Sequence, residues 1–172
     1  MKKKLTLMAI LGILMFGIVN VVYTVYPMPY ADIVVEMSDK YGVDYLLVYA
    51  IIQTESRFRE DALSPSGAKG LMQIMDITGK WGADEIGISD NLFDPRINIE
   101  IGTWYIAKLI NQYDDVDMAL MAYNAGSGNV AKWLGDTRYS SDGKTVHTIP
   151  FKETDDYIDR VNFHRQMYEW LY

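Results

Sequence analysis

YLLVYAIIQTES, residues 45–56, is the stretch that decides how this chain folds. Tyr45 to Ile52 is an unbroken apolar and aromatic run, followed by Gln53, Thr54 and then a carboxylate at Glu55. Asp44, just ahead of the run, can cap a helix with its side chain. A helix apolar on every side belongs in the middle of a core. Glu55 closes that helix. Burial beside apolar side chains disfavours the charged carboxylate and makes a glutamate a proton donor near neutral pH. The negative end of the helix dipole pushes the same way. The alternative is a surface glutamate at a frayed helix end.

Outward from this segment the pattern stays helical. Ile33, Val34, Met37 and Tyr41 recur at spacings of three and four, and Gly42 is a plausible stop. Ser64-Pro65-Ser66-Gly67 reads as a loop, and Gly70 as the opening of a short helix toward Trp81. Asp94-Pro95 pairs a capping side chain with proline at the first helical position. Asp115 caps a helix through Met118, Leu120 and Tyr123, and a short one follows Ser127. Asp142-Gly143 lies between Tyr139-Ser140-Ser141 and Lys144-Thr145-Val146, a hairpin signal. Thr154 is placed to cap a last helix through Ile158, Val161 and Met167. The expected fold is mainly α with one small β-hairpin.

The N-terminus reads differently. Leu5 to Val25 is uncharged and almost wholly apolar, and Lys2, Lys3 and Lys4 precede it. As a helix it is about 32 Å long, against a hydrocarbon core of about 30 Å. No small-x-small cleavage site ends it, and Tyr23 and Tyr26 fit an interfacial belt. The expected organisation is a cytoplasmic tail (1–4), a transmembrane signal-anchor helix (5–26) and a short stem (27–29). A domain (30–172) would follow on the extracytoplasmic side of the cell membrane. A leader removed after export is the alternative. Pro27-Met28-Pro29 stiffens the stem.

Composition narrows the function. The chain has 172 residues, enough for one compact domain, and no cysteine. Its net charge is −7, and without the three leading lysines the remainder carries −10. An acidic domain without a basic stripe is not built for nucleic acid. His147 and His164 are the only imidazoles and share no metal-ligand spacing, so neither a metal nor another cofactor is expected.

Four blocks carry the chemistry. Glu55-Ser56-Arg57-Phe58 is followed by Gly67-Ala68-Lys69-Gly70-Leu71-Met72-Gln73-Ile74-Met75. Asp94-Pro95 comes next with Asn98-Ile99 and Gly102, then Ala122-Tyr123-Asn124-Ala125-Gly126 with Gly128, Val130 and Trp133. The last is Ile149-Pro150-Phe151 with Glu153-Thr154, Tyr157 and Arg160-Val161. In this order and spacing they resemble the catalytic domain of the soluble lytic transglycosylase (SLT) family, with its goose-type lysozyme-like fold. The resemblance runs from Tyr30 to the C-terminus.

It implies an enzyme that cleaves the β-1,4 bond from N-acetylmuramic acid (MurNAc) to N-acetylglucosamine (GlcNAc) in peptidoglycan strands, leaving 1,6-anhydromuramyl ends. Glu55 would be the single acid, returning as the base. Ordinary glycosidases need two carboxylates, but a substrate whose own N-acetyl group stabilises the anomeric carbon does not. The same resemblance implies sugar contacts from Ser64, Gln73, Met75, Tyr123, Asn124 and Tyr157, with the Tyr123 phenol able to bond to Glu55. Gly67, Gly70, Gly126 and Gly128 read as groove-shaping backbone. The chain departs from the family at Asp76, where proline is usual, which bears on helix initiation more than on chemistry. A muramidase using water, and a glycan-binding protein without turnover, remain as alternatives. No protein partner can be read from the sequence.

Overall fold

A computed structural model describes residues 2–172, with the side chains of 11–17 and 20–172. Among the described residues the chain forms eight helices and no strand. They are α1 (Lys2–Val25), α2 (Ala31–Tyr41), α3 (Tyr45–Glu55), α4 (Asp76–Ile86), α5 (Pro95–Tyr113), α6 (Val116–Ala125), α7 (Ser127–Leu134) and α8 (Lys152–Leu171).

The apolar run is the central helix α3, buried from Leu47 through Gln53 and packed between α2 and α8. α5 packs on α2, α4 and α6, and α6 in turn on α7 and α8. The three aspartates expected to cap do so. Asp44 accepts from Leu46 N–H (3.0 Å), Asp94 from Arg96 and Ile97 N–H (2.9 and 3.2 Å), and Asp115 from Met118 N–H (2.8 Å). Gly42 ends α2 with φ of 68°.

Three local expectations need correction. No β-hairpin forms at Asp142-Gly143. Asp142 accepts from Lys144 and Thr145 N–H (both 2.8 Å), and Ser140 Oγ from Gly143 N–H (3.0 Å). Side chains thus take the donors a ladder would need. Extended pairing occurs instead as two isolated bridges, Leu63 with Lys69 and Lys69 with Ile74. α4 starts at Asp76, not Gly70, because residues 70–73 are turned back under those bridges. Thr154 lies inside α8, and its hydroxyl is used elsewhere.

The loop of residues 63–75 is tied to α5 by one side chain. Asn98 on α5, fully buried, accepts from Met72 N–H (2.7 Å) and donates to the carbonyls of Lys69 (2.9 Å) and Leu92 (2.8 Å). The loop packs there without room for a methyl group on either glycine. A Cβ on Gly102 would stand 2.3 Å from Met72 Sδ, and one on Gly70 2.3 Å from the Leu92 carbonyl.

The stem is tied to the body by tyrosines. Tyr172 donates to the Tyr26 carbonyl (2.8 Å), Tyr168 to that of Pro27 (3.1 Å) and Tyr49 to that of Pro29 (3.1 Å). Tyr26 is itself buried, stacked edge-on against Tyr168, with its hydroxyl 3.0 Å from His164 Nδ1. Among the described residues no helix is long and apolar enough to cross a membrane. The span expected at residues 5–26 falls in part on side chains outside the described set, at 5–10 and 18–19.

Asn98→Ala strips partners from two buried backbone groups, Met72 N–H and the Leu92 carbonyl, and from the part-buried Lys69 carbonyl, each buried one costing about 1–3 kcal/mol when left unsatisfied. Urea unfolding followed by circular dichroism is expected to show at least about 2 kcal/mol of lost stability on that scale.

Candidate active site

Glu55 stands where α3 ends. Ser56 and Arg57 N–H both close onto the Ile52 carbonyl (3.0 and 3.1 Å), and the chain leaves through two successive left-handed residues, Arg57 (φ 52°) and Phe58 (φ 63°). Left-handed backbone costs a non-glycine residue about 1–2 kcal/mol. Here it is offset by the Phe58 ring, which packs on Tyr49 at 6.1 Å. The exit fixes the carboxylate at the mouth of the core instead of on a frayed end.

Glu55 opens into a cavity of about 430 Å³ whose lining includes Ser64, Gln73, Met75, Tyr123, Asn124 and Glu153. Five of the six expected sugar-contact residues therefore share one cavity with the expected acid. A second cavity of about 250 Å³ continues it past Met75, Tyr105, Tyr123 and Gly126. Together they form a groove with aromatic and amide walls.

Each wall residue is held from a different element. Gln73 has φ of 50°, and its amide nitrogen donates to the carbonyls of Ala62 (3.2 Å) and Gly70 (2.9 Å). The amide oxygen is left for a ligand. Asn124, one residue from the end of α6, accepts from Thr154 Oγ1 on α8 at 2.7 Å, which leaves its amide N–H groups to the groove. Ser64 Oγ accepts from Ala68 N–H (2.9 Å), the turn role its sequence suggests. Met75 is an exposed wall, not core.

Two tyrosines differ from expectation. Tyr123 does not bond to Glu55; its hydroxyl donates to the Met72 carbonyl at 2.9 Å, so it props the Gln73 loop. Tyr157 is no groove residue. On the core-facing side of α8 it is 2 % exposed, and its buried hydroxyl has no hydrogen-bond partner. It stands close enough to Glu55 to weigh on the ionisation of both groups, yet outside hydrogen-bond geometry.

The electrostatics follow. Burial pushes the Glu55 carboxyl from 4.5 up to about 7. Tyr157 and the positive charge of Arg160 pull against that rise, and the negative charge of Glu153 adds to it. Burial also holds Tyr123 and Tyr157 well above the usual phenol range, so both stay neutral donors. An acid with pKa near the working pH can give a proton and take one back. In the sequence Glu153 stands in its block without an assigned role, and Thr154 reads only as a helix cap. What they do depends on α8 crossing the end of α6, which no local pattern reports.

Residues 32–146 match the transglycosylase SLT domain family. The chain is 40% identical over 138 residues to the membrane-bound lytic murein transglycosylase C of Edwardsiella ictaluri, covering 70% of this chain and 36% of that protein. It is 34% identical over 143 residues to the soluble lytic murein transglycosylase of Salmonella typhimurium, covering 79% of this chain and 22% of that one. The 70 kDa soluble lytic transglycosylase of Escherichia coli superposes with a TM-score of 0.75 at 29% identity, over 87% of this chain and 25% of that structure. The chain thus spans well under half the length of these relatives. A family match over most of the folded body, a shared fold and identities of this size agree: the chain belongs to the transglycosylase SLT domain family.

Proposed function

We propose that this domain is a peptidoglycan lytic transglycosylase that cuts the MurNAc-β-1,4-GlcNAc bond and leaves a 1,6-anhydromuramyl end. Glu55 protonates the leaving glycosidic oxygen. The substrate's N-acetyl group stabilises the anomeric carbon, and Glu55 then takes the proton of the muramyl 6-hydroxyl as that oxygen closes the ring. Gln73 and Asn124 hold the sugar through the polar atoms left free by their structural bonds. Met75 and Tyr123 offer it apolar faces. Tyr157 and Tyr123 stay neutral beside the carboxyl.

The observation that carries this reading is a half-buried carboxyl, pushed by desolvation to about 7, that shares one cavity with Ser64, Gln73, Met75, Tyr123 and Asn124. The names of its relatives, lytic murein transglycosylases both soluble and membrane-bound, support the substrate class. Mass analysis of digested sacculi tests the chemistry. Anhydro-terminated products are expected from the wild type and none from Glu55→Gln. Reducing-end products would make the domain a muramidase, and an inert wild type that still binds sacculi would make it a glycan binder.

The acid must be protonated to start, so kcat/KM is expected to fall as pH rises through about 7. Glu153→Gln removes a negative neighbour that raises the Glu55 pKa, and is expected to move that descending limb to lower pH. Stability supplies a check independent of turnover. The folded pKa lies above the unfolded one, so ionisation costs folding stability from about pH 4.5 upward, in full above about 7. Glu55→Gln is therefore expected to raise the melting temperature at pH 8 but not at pH 4.

The membrane anchor is part of the same proposal. An uncharged stretch from Leu5 to Val25 behind three lysines supports a retained single-pass helix with the groove outside the cytoplasmic membrane. Full-length protein is expected to stay with membranes through an alkaline carbonate wash. Release into the supernatant would favour a secreted form.

A further inference from the structure

Glu55 faces two cavities. Besides the sugar groove it lines a separate one of about 380 Å³ formed with Thr54, Ser56, Arg57 and Arg59. The two differ in chemistry. The groove presents amides, a thioether and phenols, whereas this branch presents guanidinium groups.

Those guanidinium groups are unusual for the molecule. The six arginines are residues 57, 59, 96, 138, 160 and 165. Arg96 pairs with Glu36, Arg138 with Asp136, and Arg165 with Asp44 and Glu169. Among the described residues Arg57, Arg59 and Arg160 have no carboxylate partner, although acids far outnumber bases in the folded body. Two of the three line the branch cavity, and the third acts on Glu55 from α8.

Their placement is built into the backbone. The left-handed pair Arg57-Phe58 turns the chain across the end of α3, with Phe58 held against Tyr49. Arg59 Nε donates to the Ser56 carbonyl (3.2 Å), which fixes its guanidinium and leaves the terminal NH₂ groups to the cavity. Planar guanidinium forks match carboxylates two bonds at a time.

A glycan strand is linear except at muramic acid, where the 3-O-lactyl group carries a peptide with free carboxylates. Scission occurs at the anomeric carbon of that same sugar, so the branch point must lie beside Glu55. We propose that the Arg57–Arg59 cavity receives the carboxylates of the muramyl stem peptide, making the domain selective for peptide-bearing over naked strands. This rests on the transglycosylase reading above.

The test uses full-length protein in detergent and two substrates, sacculus strands with stem peptides and the same strands stripped by an amidase. The wild type is expected to favour peptide-bearing strands in kcat/KM by about tenfold, the scale of a charge-assisted pair after solvent competition. In Arg57→Gln/Arg59→Gln that ratio is expected to collapse toward one. Arg57→Lys/Arg59→Lys, which keeps the charge but not the fork, is expected to fall between them. Circular dichroism and the melting temperature establish that the variants are folded. A wild type without preference, or a preference that survives the double Gln variant, overturns the proposal. Titration with a soluble disaccharide-peptide and its carboxamide form separates the two readings. Carboxylate-dependent binding lost in the double variant, with no cleavage of either strand, sinks the transglycosylase assignment and leaves the carboxylate site standing. Cleavage with carboxylate-independent binding does the reverse.

Discussion

Three hydrogen bonds from one buried amide hold the groove in shape. Asn98 spends both ends of its side chain on backbone groups, tying Met72, Lys69 and Leu92 to the start of α5. A loop without strands of its own has few ways to satisfy its polar backbone away from water. Here a side chain from a long, capped helix supplies the missing partners. The glycines at 70 and 102 matter because Gly70 must lie against the Leu92 carbonyl and Gly102 on α5 against the Met72 side chain for those bonds to form. Tyr123 then fastens the same loop from the far side through the Met72 carbonyl. Gln73 and Met75 are thus positioned by contacts made at residues 69 to 72.

The carboxylate is positioned by the opposite means. Nothing hydrogen-bonds Glu55 firmly; it is surrounded. α3 delivers it to the edge of the core, and Tyr157 and Tyr123 stay neutral around it because burial suppresses their own ionisation. Binding it tightly would stabilise the charged form and bring its pKa back down. The unsatisfied Tyr157 hydroxyl is consistent with that balance: a full hydrogen bond would lower the pKa that burial has raised. Stability is given up at neutral pH for a proton held at about pH 7.

What could be read from the sequence was what local chemistry decides. Asp44, Asp94 and Asp115 cap because their partners lie two or three residues away. The buried α3 announced itself by composition, and Glu55 by its place at the end. The misreadings have long-range causes. Thr154 looked like a cap, but its hydroxyl meets Asn124 thirty positions earlier. Tyr123 and Tyr157 kept their neighbourhood and differed in their contacts, since which of two phenols faces a carboxylate depends on how α6 and α8 cross. Asp142-Gly143 had the residues of a hairpin turn, yet its own side chains bound the donors first. Arg57 and Arg59 stood in plain view, but that they lack partners is a property of the whole surface.

The tyrosine ties between stem and body have a mechanical meaning. A flexible linker would let the groove swing freely about the end of α1. Three phenols clamped on the carbonyls of Tyr26, Pro27 and Pro29 leave no such joint, and α8 runs from that clamp to Tyr157 as a rod of about 20 Å at 1.5 Å per residue. Whatever grips α1 therefore also sets the standoff and the bearing of the groove. The groove is mounted on a bracket, not a tether.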